Sequence, residues 1–181
     1  MKRCFWCNEK NPLYVKYHDE EWGHPRFDDE YMFEMLLLEG FQAGLSWECV
    51  LNKREAFRKA FDGFDYYKIA KYNEAKFEEL CQNNTIIKNK LKIKAAINNA
   101  RIFIEIVKEK GSFLNYIKCF WNGKTIYENK YSVSSLSDFI SKDLQKRGMK
   151  FVGSTIIYSY LQAIGVINSH DDDCFFKNIE S

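Results

Sequence analysis

The chain has 181 residues, enough to bury a sizeable core within one domain. A hydrophobic share of 46% with a formal net charge of +2 excludes a disordered polyelectrolyte, and bulk charge alone does not announce a nucleic-acid binder. No apolar run follows Met1-Lys-Arg3 and none approaches membrane-spanning length, which predicts a cytoplasmic protein without a membrane partner; its six cysteines then read as thiols or metal ligands.

Aromatic residues make up 17%, which suits a dense core or a pocket that stacks something flat. Both prolines, Pro12 and Pro25, fall in residues 1–25, a stretch rich in Cys, His, Trp and Tyr that is expected to be irregular. Asp28 or Asp29 caps a helix through Tyr31, Phe33 and Leu36 to Leu38, ending near Gly40 or Gly44. Ser46 caps the next, through Val50, Leu51 and Phe57 to about Phe61. Asn73 opens an amphipathic helix ending near Cys81, and Lys90–Lys110 forms a longer one with Ile93, Ile97, Ile104 and Val107 on one face. Gly111-Ser112 breaks it, Phe113–Trp121 makes a short helix, and residues 122–133 read as a loop. No run alternates as a strand should. The expectation is one all-α domain over residues 1–181.

The last third has a more distinctive pattern. Ser135-Leu-Ser-Asp138 reads as a capping box opening a helix through Leu144. Gly148-Met-Lys-Phe-Val-Gly153 then turns tightly into a second helix from Ser154 to about Ile164. Two helices joined this way, over about 135–165, form a helix-hairpin-helix pattern. Gly148, Lys150, Gly153, Ser154 and Thr155 are its candidate DNA contacts, because glycine lets backbone approach a phosphate and a helix N-terminus attracts it. A structural αα-hairpin would use much the same residues. Charge distribution is compatible with an anion-facing side or with merely solvated helix faces: Lys88, Lys90, Lys92, Lys94 and Arg101 occur without an acid between them. The acidic run Asp171–Asp173 does not fit such a side.

Candidate metal ligands gather at the two ends: Cys4, Cys7, His18 and His24 at the start, His170 and Cys174 at the finish. His170-x3-Cys174 sets two ligands one helical turn apart, and a closed site of four N or S ligands would tie segments 1–25 and 166–181 together. Spacing leaves two sets open, one using Cys7 and one using His18.

Four segments carry a family resemblance. They are Arg3-Cys-Phe-Trp6 with Tyr17-His-Asp-Glu-Glu-Trp-Gly23, then Leu36-Leu-Leu-Glu-Gly-Phe-Gln-Ala-Gly-Leu-Ser-Trp47, Lys146-Arg-Gly-Met-Lys-Phe-Val-Gly-Ser-Thr155, and Gly165-Val-Ile-Asn-Ser-His170. In this order they resemble 3-methyladenine DNA glycosylase I, a branch of the helix-hairpin-helix DNA glycosylase superfamily. The resemblance implies an all-helical monomer that excises 3-methyladenine from duplex DNA. It implies a structural Zn2+ held by Cys4, His18, His170 and Cys174, and a base pocket of Glu39, Tyr14, Tyr17, Trp22 and Trp47, with Glu39 and Tyr17 catalytic.

These residue types suit the chemistry. An extruded base needs flat partners and hydrogen bonds to its edge, and a cationic base gains from aromatic faces and a carboxylate. Asn168 stands where many relatives of the wider superfamily carry an aspartate. The branch resembled also lacks that acid and has no lyase activity, which implies a monofunctional enzyme. Thr85 and Leu91 depart from the family, which is expected to have glycine there. Two rivals remain at this point: a helix-hairpin-helix module without catalysis, and a zinc hydrolase using an acid such as Glu20.

Overall fold

The computed structural model describes residues 1–177. The organising element is α2 (Asp29–Gln42), capped where Asp28 Oδ1 accepts the Tyr31 N–H at 2.9 Å. Every residue from Tyr31 to Glu39 is buried, so α2 has no solvent face and must run through the middle of the molecule. The N-terminal segment holds a helix where irregular chain is expected, α1 (Pro12–Glu20). Asn11 caps it and Pro12 occupies its first turn, where a missing N–H costs nothing; that proline starts a helix and does not break one.

After α2, Ser46 caps α3 (Trp47–Leu51) as expected, but the helix stops at Asn52 and restarts as α4 (Arg54–Ala60). A turn at Asp62–Phe64 leads to α5 (Tyr66–Ile69), whose cap Asp65 accepts two N–H bonds. Asn73 caps α6 (Glu74–Gln82), and Asn89 caps α7 (Lys90–Lys110), which ends at the left-handed Gly111. The next helix, α8 (Phe113–Ile117), is shorter than the Phe113–Trp121 expected. Phe103 of α7 stacks on Phe113 at 4.3 Å between ring centroids, and Phe33 of α2 meets Phe103 edge-on at 5.1 Å.

Ten helices dominate the described residues. A small sheet was not expected either: β1 (Ile126–Tyr127), inside the segment read as loop, pairs in parallel with β2 (Ile167–Asn168). Two residues are too few to show an alternating pattern, so the pairing exists only because the fold brings the strands together. Then follow α9 (Ser135–Lys146) and α10 (Ser154–Ala163). The capping box is real but one residue early: Ser134 and Ser137 exchange the two bonds, not Ser135 and Asp138.

The α9–α10 turn is held by backbone-directed bonds from α7. The Asn99 amide both donates to Lys150 O at 2.8 Å and accepts the Lys150 N–H at 2.9 Å, while Asn98 donates to Gly148 O at 3.0 Å. One member of the basic run is reassigned. Lys92 is buried against carbonyls at the end of α2 and is no anion contact, while Arg101 stays exposed with its Nε donating to Ala70 O. The departures from family glycine are accommodated locally, Thr85 by hydrogen bonds to Asn83 Oδ1 and Leu91 by pointing into solvent.

The two ends of the chain meet. Gly165, with φ +77°, lies so close to His24–Pro25 that a Cβ there would sit 2.3 Å from the His24 carbonyl carbon. The Gly23 N–H donates to Gln162 O at 3.0 Å and the Arg26 N–H to Ile164 O at 3.2 Å. The acidic run acts here. Asp171 accepts the Phe5 N–H at 2.9 Å, Asp173 pairs with Lys2, and Asp172 pairs with Lys177, so these acids lace the termini and need not tolerate a phosphate.

Gly165→Ala combines a disfavoured backbone conformation with a backbone clash that no rotamer relieves. It is expected to destabilise the fold by about 3 kcal/mol, read as a lower urea midpoint with an unchanged denaturant slope.

Candidate active site

A cavity of about 260 Å3 opens where the N-terminal segment crosses the end of α2. Tyr14 and Tyr17, three apart on α1, present to it from one helix face, and Trp22 follows in the turn after α1. The last turn of α2 supplies Glu39, and Trp47 opens α3. All five residues expected in a base pocket therefore line one cavity.

Trp6, Gln42, Ser159, Gln162 and Ser169 line it too and were not assigned. Trp6 lies inside a quoted motif, beside the expected ligand Cys4, and was legible to that extent. Ser159 and Gln162 share a face of α10, but nothing in the sequence connects that face with α1.

The walls are aromatic and mutually packed. Trp6 meets Trp22 edge-on at 4.6 Å and Tyr14 at 5.4 Å, while Tyr17 tilts against Trp47 at 5.1 Å. Glu39 is 3% exposed, and its Oε2 finds no hydrogen-bond partner among the described residues. Burial pushes its carboxyl up to about 8, and burial is the sole cause. Trp47 Nε1 is likewise without a partner. Buried Glu34 and half-buried Glu21 are neutralised: Arg54 donates to Glu34 at 2.7 Å and to Glu21 at 2.8 and 2.9 Å. Glu39 stands apart as a desolvated acid with no cation.

Directly behind Trp22, whose ring meets His170 edge-on at 4.7 Å, lie Cys4, His18, His170 and Cys174, all buried. Their four ligand atoms fall within 4.8 Å of one another. Cys4 Sγ to His170 Nδ1 and Cys174 Sγ to His18 Nε2 are both 3.6 Å, close to the edge of about 3.3–3.8 Å that tetrahedral zinc–sulfur and zinc–nitrogen bonds require.

The donor chemistry agrees. Burial pushes the Cys4 thiol far up, the His18 imidazole down and the His170 imidazole down to about 4, so the imidazoles are neutral ligands and a cation would draw the proton from Cys4. The Asp171 N–H already points at Cys4 Sγ at 3.3 Å. His18 Nδ1 meets Asp19 Oδ1 at 2.8 Å, and Arg3 grips that carboxylate through two nitrogens, the outer shell a metal-binding histidine normally has.

Of the two ligand sets left open by spacing, the fold assembles the one containing His18. Cys7 Sγ is turned to Tyr14 O at 4.0 Å and is not in the cluster, nor is His24. Glu20 is exposed on α1 and outside it too, which removes the acid a zinc hydrolase would need. Asn168 is also accounted for. Its Oδ1 accepts the His170 N–H at 3.1 Å and shapes the ligand turn, and it does not line the cavity.

The hairpin residues lie at the start of α10. Gly148 has φ +98°, Lys150 and Thr155 are exposed, and Gly153 caps α10 without any side-chain bond to its first N–H groups. Ser154 is less free, since its hydroxyl bonds Ser137 at 2.8 Å. No helix among the described residues is long and apolar enough to cross a membrane.

A family model described as methyladenine glycosylase matches residues 6–178. The chain is 44% identical to DNA-3-methyladenine glycosylase 1 of Escherichia coli, with 96% of each protein covered. Among solved structures, it matches a 3-methyladenine DNA glycosylase I with a TM-score of 0.92 at 43% identity, covering 96% of this chain and 98% of that one. It also matches a point variant of such an enzyme in complex with 3-methyladenine, with a TM-score of 0.93 at 32% identity and full coverage of both chains. A match that runs through the pocket, the ligand cluster and the hairpin alike leaves one conclusion: this chain belongs to the methyladenine glycosylase family.

Proposed function

We propose that this protein is a DNA-3-methyladenine glycosylase, hydrolysing the N-glycosidic bond of alkylated adenine in duplex DNA and leaving the strand uncut. The observation that carries the reading is Glu39, a fully desolvated carboxyl without a cation, in an aromatic-walled cavity of about 260 Å3. 3-Methyladenine in DNA is itself a cation. It supplies the missing charge to Glu39, and the faces of the Trp and Tyr side chains attract it by stacking and cation–π contact. Neutral adenine offers Glu39 no such charge, which gives selectivity by the same term.

A cationic base is a good leaving group, so binding that strengthens as the base departs lowers the barrier without a strong general base. Tyr17, beside Glu39 and against Trp47, orients the base; Tyr14, Trp6 and Trp22 complete the enclosure. Lys146 and Lys150 do not line the cavity, which supports hydrolysis by water over Schiff-base chemistry.

We read α9, its turn and α10 as a helix-hairpin-helix within a single domain that acts as a monomer. Gly148, Lys150, Gly153, Ser154 and Thr155 form the backbone-gripping edge. The uncapped N-terminus of α10 suits a phosphate, and Ser159 lies about 7 Å further along the same helix at the cavity. One helix thus relates the strand being gripped to the base being removed. We assign Zn2+ as the structural metal of Cys4, His18, His170 and Cys174, whose four-ligand closure supplies folding stability and leaves no position for substrate. What it contributes to the reaction is the fixed placement of Trp6 and Trp22.

Incubation with DNA methylated by dimethyl sulfate is expected to release 3-methyladenine and not 7-methylguanine. Glu39→Gln, which keeps the shape and loses the charge, should slow single-turnover release about 100-fold, and Tyr17→Phe about 10-fold. A folded protein that binds duplex and frees no base would instead be a DNA-binding module.

The Glu39 carboxyl also has a stability signature. Its folded-state value of about 8 lies above the usual one of 4.5, so the native state holds the proton longer and loses stability as pH rises between these values. Glu39→Gln should therefore raise Tm relative to the parent at pH 8, with the gap closing towards pH 4.5. Finally, chelation should unfold the protein, seen as loss of helical circular dichroism together with activity. Activity lost at intact fold would point to an open, catalytic metal.

A further inference from the structure

Lys92 is a lysine 7% exposed in a protein with ample surface for it. It lies in the first turn of α7, and its Nζ crosses to α2, donating to Phe41 O at 2.8 Å and Ala43 O at 2.5 Å. Burial lowers its pKa, so these bonds are what repay its desolvation. The choice of carbonyls is informative. α2 ends without a glycine cap, because Ala43 departs at φ −45°, ψ 113°, and its terminal carbonyls concentrate the negative end of the helix dipole. The ammonium takes the place of a cap.

We infer that Lys92 is a positioning residue of the base pocket: by clamping the end of α2 and the turn after it, it sets Glu39, two residues before Phe41, and delivers Trp47. It acts on backbone, not on the carboxylate, because burial alone accounts for the raised Glu39.

The same face of α7 reaches the hairpin. Lys92, Ala96 and Asn99 recur at i, i+4 and i+7; Asn99 holds Lys150 by both backbone groups, and Lys92 Nζ lies 5.9 Å from the centre of the Phe151 ring. Phe151 adopts a left-handed backbone, φ +56°, and a Cβ on Gly40 of α2 would lie only 3.7 Å from it. Ala95, Ala96 and Gly40 leave just about 10 Å3 of space between these three elements. The pocket end of α2 and the proposed DNA-gripping turn are thus clamped to one helix face, so that engaging the backbone registers the pocket over the extruded base.

The kinetic part of the test rests on the glycosylase reading; the exchange part does not. In Lys92→Met, amide hydrogen exchange over residues 43–47 should accelerate about tenfold or more while α7 and α10 keep their protection. Single-turnover release of 3-methyladenine should fall about tenfold or more, with affinity for undamaged duplex held within about twofold. Lys92→Gln, which retains a donor and is the gentler change, should be intermediate in both. Unchanged exchange at residues 43–47 in both variants would overturn the inference. So would a rate loss matched by an equal loss of duplex affinity, the mark of a plain phosphate contact. If the parent protein releases no base, the glycosylase reading fails while the exchange result still decides the role of Lys92.

Discussion

The chain's first 25 residues fold back onto its C-terminal segment, and the site exists because they do. Gly165 permits the approach by lacking a Cβ, Asp171 and Asp173 tie down Phe5 and Lys2, and Cys4 and His18 come within ligand distance of His170 and Cys174. Trp6, Tyr14, Tyr17 and Trp22 all lie on the segment so tethered. An N-terminal segment of this kind would ordinarily fray. Here it forms one wall of a cavity whose floor is a central helix, and a buried Cys/His cluster able to hold a metal suits that task, because four short bonds would join two sequence-distant pieces.

Against that frame, the handling of buried charge divides the molecule in two. Structural acids have partners: Glu21 and Glu34 share Arg54, and Asp19 has Arg3 and His18. Glu39 has none, in a protein that evidently can supply arginines to buried acids. Leaving one carboxyl desolvated costs stability and creates affinity for a cation at the same place. The buried ammonium of Lys92 donates to the α2 backbone instead, which leaves the Glu39 carboxyl without a cation.

Much of this was legible in the sequence. The caps Asp28, Ser46 and Asn73 mark helix starts because each is a local bond between one side chain and the next turn, and Gly111 marks an end by its left-handed backbone. The pocket residues Glu39, Tyr17, Trp22 and Trp47 were found through motif resemblance, and without it a lone Glu at a helix end says nothing. Misreadings were local competitions decided by context: Pro12 as helix start rather than breaker, Asn52 as a pause inside an expected helix, Ser134 rather than Ser135 as cap.

By itself, the sequence determined the helical class, most element boundaries and the inventory of ligands and aromatics, since periodicity, capping and residue chemistry act over a few neighbouring residues. Only the tertiary structure decided between His18 and Cys7, paired β1 with β2, brought Ser159 and Gln162 to the cavity, and turned Lys92 from an expected surface charge into a buried clamp. Each of these depends on distances between segments far apart in the chain, and on the burial those distances impose, which no local pattern encodes.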